Sequence, residues 1–328
     1  MSNNGLIDSD AWTKPKTQII TSTTTVNWLP GATHMSLLAI GGGGGGGSGR
    51  YDSTGTANGG SGGSGASLKY HRRMPFEFLR TLSIRMPIVV TIGAGGTGGT
   101  GTTVDLNPGS PGVAGGTTVV TFNTQWATTV YTNLNITNTL EARGGGRGLG
   151  GTTSAANSDA SSNGPGQING LTGGQATIGG GSSFPSHQGN SFGTNPFYWI
   201  AVNGGRSGGS KLTPSTLQVG ASSIFYVNGF NSGTDSNFNG PSSVQFDAYL
   251  KRQVEAYREA PVMEELAWIT TMPGGANGGG GTTGVGGNGG NGYWGSGGGG
   301  SGGTGGGASG SGGRGGNGVV VIWWEKLQ

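Results

Sequence analysis

From Gly274 to Gly318, 28 of 45 residues are glycine, in pairs, triplets and quartets such as 278–281 and 297–300. The tract stops at Val319-Val320-Val321-Ile322-Trp323-Trp324. A free Gly/Ser chain is a random coil, and a loose terminus is polar as a rule. Four aliphatics and two tryptophans after the glycines fit a buried strand bounded by turn residues. The tract is therefore expected to lie within a folded body, held between packed strands.

Composition sharpens that expectation. The chain has 328 residues, 78 of them glycine, and charged residues are only 9%. Disordered chains are rich in charge or proline, and this one is neither. It also carries 8 Trp, 8 Tyr and 10 Phe, which suit buried or contact surface. Ordering a glycine costs roughly 0.5–1 kcal/mol more than ordering an alanine, so something must offset that many times over. One solution is a bundle of polyglycine II-type helices, three residues per turn, paired through backbone hydrogen bonds to their neighbours. The fold class expected is mainly β with such packed helices and a small inserted mixed or helical subdomain. Collagen is excluded, because no strict Gly-X-Y period exists and prolines number 13.

Along the chain, residues 1–16 read as an N-terminal arm. Residues 17–183 read as the first part of a glycine-rich β body. Its expected strands are 17–29, 33–40, 88–92, 117–122 and 128–136, and Leu140-Glu141-Ala142-Arg143 leads into the next glycine-rich tract. Apolar strands feed glycine runs at Ile40 and Ile92. Residues 67–85 are basic, with Lys69, Arg72, Arg73, Arg80 and Arg85 against Glu77, and read as a loop or short helix packing on the body or a neighbouring subunit. Residues 184–272 read as an inserted aromatic-rich subdomain with one helix over 244–260, apolar at Val244, Phe246, Tyr249, Leu250, Val254 and Tyr257. Residues 273–328 complete the body with the last glycine tract and closing strand.

Chemistry-bearing motifs are sparse. There is no cysteine, so thiolate and disulfide chemistry are excluded. His34, His71 and His187 lack ligand spacing. Gly93-Ala94-Gly95-Gly96-Thr97-Gly98 matches a dinucleotide fingerprint, but prolines 108 and 111 and further glycines stand where its helix should be. Matches to G-x-S-x-G at Ser61, Ser207 and Ser301 reflect composition, since none has a strand-to-helix elbow. The acids of 247–265 lie among Lys251, Arg252 and Arg258 and read as a salt-bridged helix face. No cofactor, metal or nucleic-acid partner is expected, and a net charge of +3 is too small to steer nucleic acid. No signal peptide or transmembrane segment is expected.

Two readings stay open for the aromatics. Phe197, Tyr198 and Trp199, with Phe230 and Phe238, form either a small core or a contact surface. Tyr293 and Trp294, inside the last glycine tract, have little room in a glycine bundle and are the more pointed contact candidates.

Four stations, in order, resemble a known family. Trp28-Leu29-Pro30-Gly31-Ala32-Thr33 with the glycines of 41–47 is similar to the opening of the glycine-rich domains of bacteriophage tail-fibre and tail-tip proteins. Val90-Thr91-Ile92-Gly93-Ala94-Gly95-Gly96, then Gly115-Gly116-Thr117-Thr118 with Leu140-Glu141-Ala142-Arg143-Gly144, resemble its middle segments. Gly315-Gly316-Asn317-Gly318 with the apolar run after it resembles its closing strand. Residues 67–86 and 184–272 depart from the pattern.

The resemblance implies a non-enzymatic virion protein of the phage tail, extracellular after release. It implies a rigid glycine scaffold whose loops touch a host surface receptor, a glycan or an outer-membrane protein. Receptor-contact candidates are then Tyr51, Phe197, Tyr198, Trp199, Phe230, Phe238, Tyr293 and Trp294. Candidates for contact with other tail proteins or with further subunits of a homo-oligomer, a trimer being common for fibres, are Trp12, Arg72, Arg73 and Arg80. The alternative is a purely structural virion component with no receptor contact.

Overall fold

The computed structural model describes residues 16–75, 87–122, 139–153, 205, 208–209, 211–213, 216–217, 279, 281–282 and 284–326. Among the described residues ten strands lie in three antiparallel sheets. The first sheet orders β1 (Lys16–Ile20), β10 (Val319–Glu325), β3 (His34–Ile40) and β4 (Leu68–Pro75). The second orders β2 (Thr24–Val26), β5 (Ile88–Thr91), β6 (Thr118–Phe122) and β7 (Thr139–Ala142). Strands β8 (Lys211–Thr213) and β9 (Thr216–Leu217) form a small ribbon.

The two larger sheets share one core. Met35, Leu37 and Ala39 of β3 and Val320, Ile322 and Trp324 of β10 pack with Ile88, Val90, Val120, Leu140 and Ala142 of the second sheet. The period-2 alternation of β5, with Ile88 and Val90 buried and Val89 outward, is that of a strand with one covered face. β3 and β10 are buried almost throughout, which explains their unbroken apolar runs. Trp28 meets Trp324 edge to face, with ring centroids 5.0 Å apart, and its indole donates to the Ala32 carbonyl at 3.3 Å.

Three strands leave this sandwich directly into glycine runs: β3 into 41–50, β5 into 93–102 and β7 into 143–152. Three runs return into strands: 58–67 into β4, 107–116 into β6 and 308–318 into β10. The run 41–50 is the hub. Its N–H groups at 41, 44 and 47 donate to the carbonyls of Ser67, Ser64 and Ser61 at 2.8–3.0 Å. Those at 42, 45 and 48 donate to Gly116, Val113 and Ser110, and those at 43 and 46 to Gly316 and Gly313. Its carbonyls accept with the same three-residue period. Gly42, Gly45 and Ser48 accept from 145, 148 and 151, Gly43 and Gly46 from 96 and 99, and Gly44 and Gly47 from 298 and 301. One run thus bonds to six others.

This arrangement corrects the expected fold class. Among the described residues there is no helix of any kind, and the regular structure is entirely β. The expected polyglycine II-type helices are not among these elements, and the glycine runs join the strands as chain bonded to neighbouring runs. Each N–H of the hub from 41 to 48 pairs with a carbonyl of a neighbouring run. The helix expected over 244–260, and nearly all of 184–272, lie outside the described residues.

Two strand expectations also change. Residues 17–29 divide into β1 and β2, one in each sheet, with Thr21-Ser22-Thr23 crossing between them. The basic stretch after Ser67 begins as a strand, β4, because β3 supplies an open edge for it. Arg72 and Arg73 therefore fall within β4, the outer strand of the first sheet among the described residues. The strand expected over 128–136 lies outside the described residues.

Packing of this kind leaves no volume for a methyl group at the hub. A Cβ on Gly45 would fall onto the Thr97 carbonyl, whereas one on Gly284 would meet nothing nearer than the Thr282 hydroxyl at 3.8 Å. Gly45→Ala is expected to lose about 3 kcal/mol of stability, the upper range for overpacking. Gly284→Ala should stay within about 0.5 kcal/mol of wild type. Urea denaturation of the two variants side by side checks both values.

Candidate functional site

The hub gives the body two ends. At one end stand the sheets. At the other, the runs turn back through loops around residues 51–56, 102–107, 284–285 and 305–307. Tyr51 bridges Thr304 at this far end and is half-buried, its N–H donating to the Asn107 carbonyl at 3.3 Å. Tyr293 and Trp294 lie at the sheet end. Gly295 follows them beside Ile40 and Gly41, where β3 enters the hub. The run 295–304 climbs parallel to 41–50, through bonds from 298, 301 and 304 to the carbonyls of 44, 47 and 50. The length of this run separates Tyr51, beside Thr304, from the Tyr293–Trp294 pair. These contact candidates form two surfaces.

The far end is pinned by polar groups. Asp52, only 4% exposed, receives hydrogen bonds from Arg50 (3.1 Å), Thr54 N–H (3.1 Å) and Gly55 N–H (2.7 Å). Asp105 receives the Ser53 N–H at 2.8 Å and the Ser53 hydroxyl, which ties the 51–56 loop to the 102–107 loop. Lys211, 2% exposed, donates its ammonium to the carbonyls of Asp52 (2.9 Å) and Ser53 (3.3 Å). A buried ammonium is costly without partners, and here it clamps the loop backbone from below. Above these groups Val104, Leu106 and Val285 are 60%, 56% and 63% exposed. Leu106 is held at φ 62°, a conformation that costs a branched side chain on the order of 1 kcal/mol.

The sheet end carries a different surface. Tyr293 to Ser296 form a tight turn, closed by the Ser296 N–H on the Tyr293 carbonyl (2.9 Å) and the Tyr293 N–H on the Ser296 hydroxyl (2.6 Å). Its central residues, Trp294 and Gly295, have φ of 33° and 79°. Positive φ at both positions marks the primed turn that reverses a chain most tightly, and glycine suits the second position. A tryptophan at the first is an outlier of the sort that accompanies function. The two rings lie 4.6 Å apart at 32°, beside a groove of about 290 Å³ bordered by Thr21, Asn291, Arg314 and Asn317.

Reasoning from sequence missed these neighbours, although a signal for them exists. The triplets Gly-Gly-Asn at 286–288 and 289–291, and Gly-Gly-Arg-Gly-Gly-Asn at 312–317, repeat every three residues. Asn288, Asn291, Ser311, Arg314 and Asn317 are all exposed. The amide oxygens of Asn288 and Asn291 accept the N–H groups of Ser311 (2.7 Å) and Arg314 (2.8 Å), which finish the outermost bonds between two runs.

Ser61 and Ser301 are fully buried, with their hydroxyls bonded to backbone groups of neighbouring runs. No helix follows the glycines of 93–99 before β6. Arg72 and Arg73 are placed only as part of β4. Trp12, Arg80, Phe197, Tyr198, Trp199, Phe230 and Phe238 lie outside the described residues. Among the described residues no group of three or more His, Cys, Asp or Glu could hold a metal ion.

Both aspartates of the far end titrate below the ordinary carboxyl range. Burial is the largest influence on Asp52 and opposes ionisation, but the Gly55 N–H, Arg50 and Thr54 N–H outweigh it. The Ser53 hydroxyl and N–H lower Asp105. A folded pKa below the unfolded one stabilises above the unfolded value, about 3.9, and that contribution is lost as pH falls through the folded value. Hydrogen-exchange protection at Ser53, Thr54 and Gly55 should therefore hold at neutral pH and fall below about pH 4. Protection at residues 44–47, whose bonds involve no carboxylate, should not change with it.

A family model described as a glycine-rich domain matches residues 19–325. No curated protein matches the chain. Among the described residues no helix is long and apolar enough to cross a membrane. The matched span runs from β1 to the last residue of β10 and takes in both sheets and the glycine runs between them, so the chain belongs to the glycine-rich domain family.

Proposed function

We propose that the protein is a non-enzymatic phage virion protein of the tail fibre or tail tip that contacts the host cell surface through loops on its glycine-rich body. The observation that carries this reading is the far end. Exposed Val104, Leu106 and Val285 stand on loops whose backbone is locked by Asp52, Asp105 and Lys211. Exposed apolar side chains on a prepaid conformation lose little entropy on docking, which is what a contact surface needs. The body beneath is cross-bonded, low in charge and free of cysteine, so it can be stiff outside a cell without disulfides. The four stations that resemble tail-fibre and tail-tip domains supply the virion context. Other tail proteins and further copies of the chain are its proposed partners. The alternative is a structural virion component without receptor contact.

Binding of labelled protein to host cells tests the reading, beside a double variant Val104→Ser, Leu106→Asn. Asparagine tolerates the left-handed conformation at 106, so the loop should stay folded. Wild type should bind, and the variant should bind at least about tenfold more weakly, the equivalent of 1.4 kcal/mol. Failure of wild type to bind, with normal incorporation into particles, would select the structural alternative.

A further inference from the structure

We propose that the groove beside Trp294 is a binding site for an acidic saccharide. This extends the proposed cell-contact function to the sheet end, where Tyr293 and Trp294 are contact candidates, and it rests on that function. Three features of the groove converge on that ligand class. First, Trp294 is held by its turn at φ 33°, half-buried against Tyr293, so the indole is a fixed platform. A rigid aromatic face of this kind packs against the C–H face of a pyranose ring while its polar edge stays wet. Second, Arg314 stands exposed on the neighbouring run. Its Nη2 donates to the Asn317 amide oxygen at 2.8 Å, and its backbone N–H donates to the Asn291 amide oxygen at 2.8 Å. The same Asn317 oxygen also accepts the Gly95 N–H at 2.9 Å, which anchors it to a third run. The guanidinium is therefore positioned by an amide, and among the described residues no carboxylate borders the groove. A guanidinium fork with no acid of its own matches a ligand carboxylate in a two-pronged pair. Third, the remaining polar border is Thr21, Asn291 and Asn317, groups that hydrogen-bond hydroxyls in either direction. Stacking face, guanidinium and hydroxyl partners lie around one space of about 290 Å³, which admits one or two sugar rings rather than a folded partner.

Titration calorimetry of the full chain with trigalacturonic acid tests this, with maltotriose as the uncharged control and inorganic phosphate as the control for charge alone. Trigalacturonic acid should bind, and maltotriose and phosphate should each bind at least about tenfold more weakly. Arg314→Gln, which keeps an amide donor toward Asn317, should lose the preference for the acidic sugar. Trp294→Gly, which suits the turn's positive φ, should lose binding of both sugars. Absence of binding by trigalacturonic acid would overturn the proposal. So would equal binding of maltotriose or phosphate, or undiminished binding in either folded variant. Adding saturating trigalacturonic acid to the host-cell assay separates the two readings. Wild type that binds cells but not the sugar would sink this site alone and leave the cell-contact role standing.

Discussion

Backbone hydrogen bonding between chains of glycine is the constraint on which everything else here depends. A buried peptide group must be paired. In the sheets this is done along ladders, and in the glycine body it is done crosswise, each residue of the hub turning to a different neighbour. Close approach of backbones is the condition for those bonds. That is why a Cβ at Gly45 would coincide with a carbonyl. The body thus replaces side-chain packing by backbone pairing, and among the described residues the apolar cluster shared by the two sheets lies in the sandwich from which the runs emerge.

The three-residue period also explains where side chains are allowed. The hub is bonded to six runs, and it shows seven glycines in succession. Outer runs are uncovered on one side, and there every third residue can carry a side chain. Ala94, Thr97 and Thr100 do so on one run, and Ser311, Arg314 and Asn317 on another, all exposed. Between runs, small hydroxyls take the same positions. The Ser61 and Ser64 hydroxyls accept the N–H groups of Leu149 (2.6 Å) and Gly146 (2.5 Å). Serine and asparagine in this chain are thus part of the hydrogen-bond lattice, and serine matches to a hydrolase pattern have no nucleophilic meaning at Ser61 or Ser301.

Rigidity of the lattice has a functional corollary at both ends. Reversals of direction are forced into short turns, and the turns hold residues where they would not rest alone: Leu106 at one end and Trp294 at the other. Both are bulky, and both are kept in left-handed backbone by a surrounding that is over-determined. The far end uses buried charge to fix its loops, the Lys211 ammonium on the Asp52 and Ser53 carbonyls and the Asp52 carboxylate on Arg50. The sheet end uses a hydroxyl, Ser296, to close its turn.

Strand positions were legible because β-branched and apolar runs abut glycine tracts at Ile40, Thr91 and Val319, where the change of residue size marks the change of structure. A folded glycine body was legible from low charge combined with many aromatics. β4 was not, since Lys69, Arg72, Arg73 and Pro75 have little strand propensity and the open edge of β3 is a tertiary fact. The division of 17–29 between two sheets was hidden for the same reason. The triplets ending in Asn288, Asn291 and Asn317 were written in the sequence, yet their meaning required knowing which run lies beside which. The sequence by itself determined that many peptide groups must pair without side chains between them. Only the tertiary structure decided which carbonyl each N–H would find, because chemically identical glycines carry no label for a partner. That choice of neighbours placed Arg314 beside Trp294 and set Tyr51 at the opposite end.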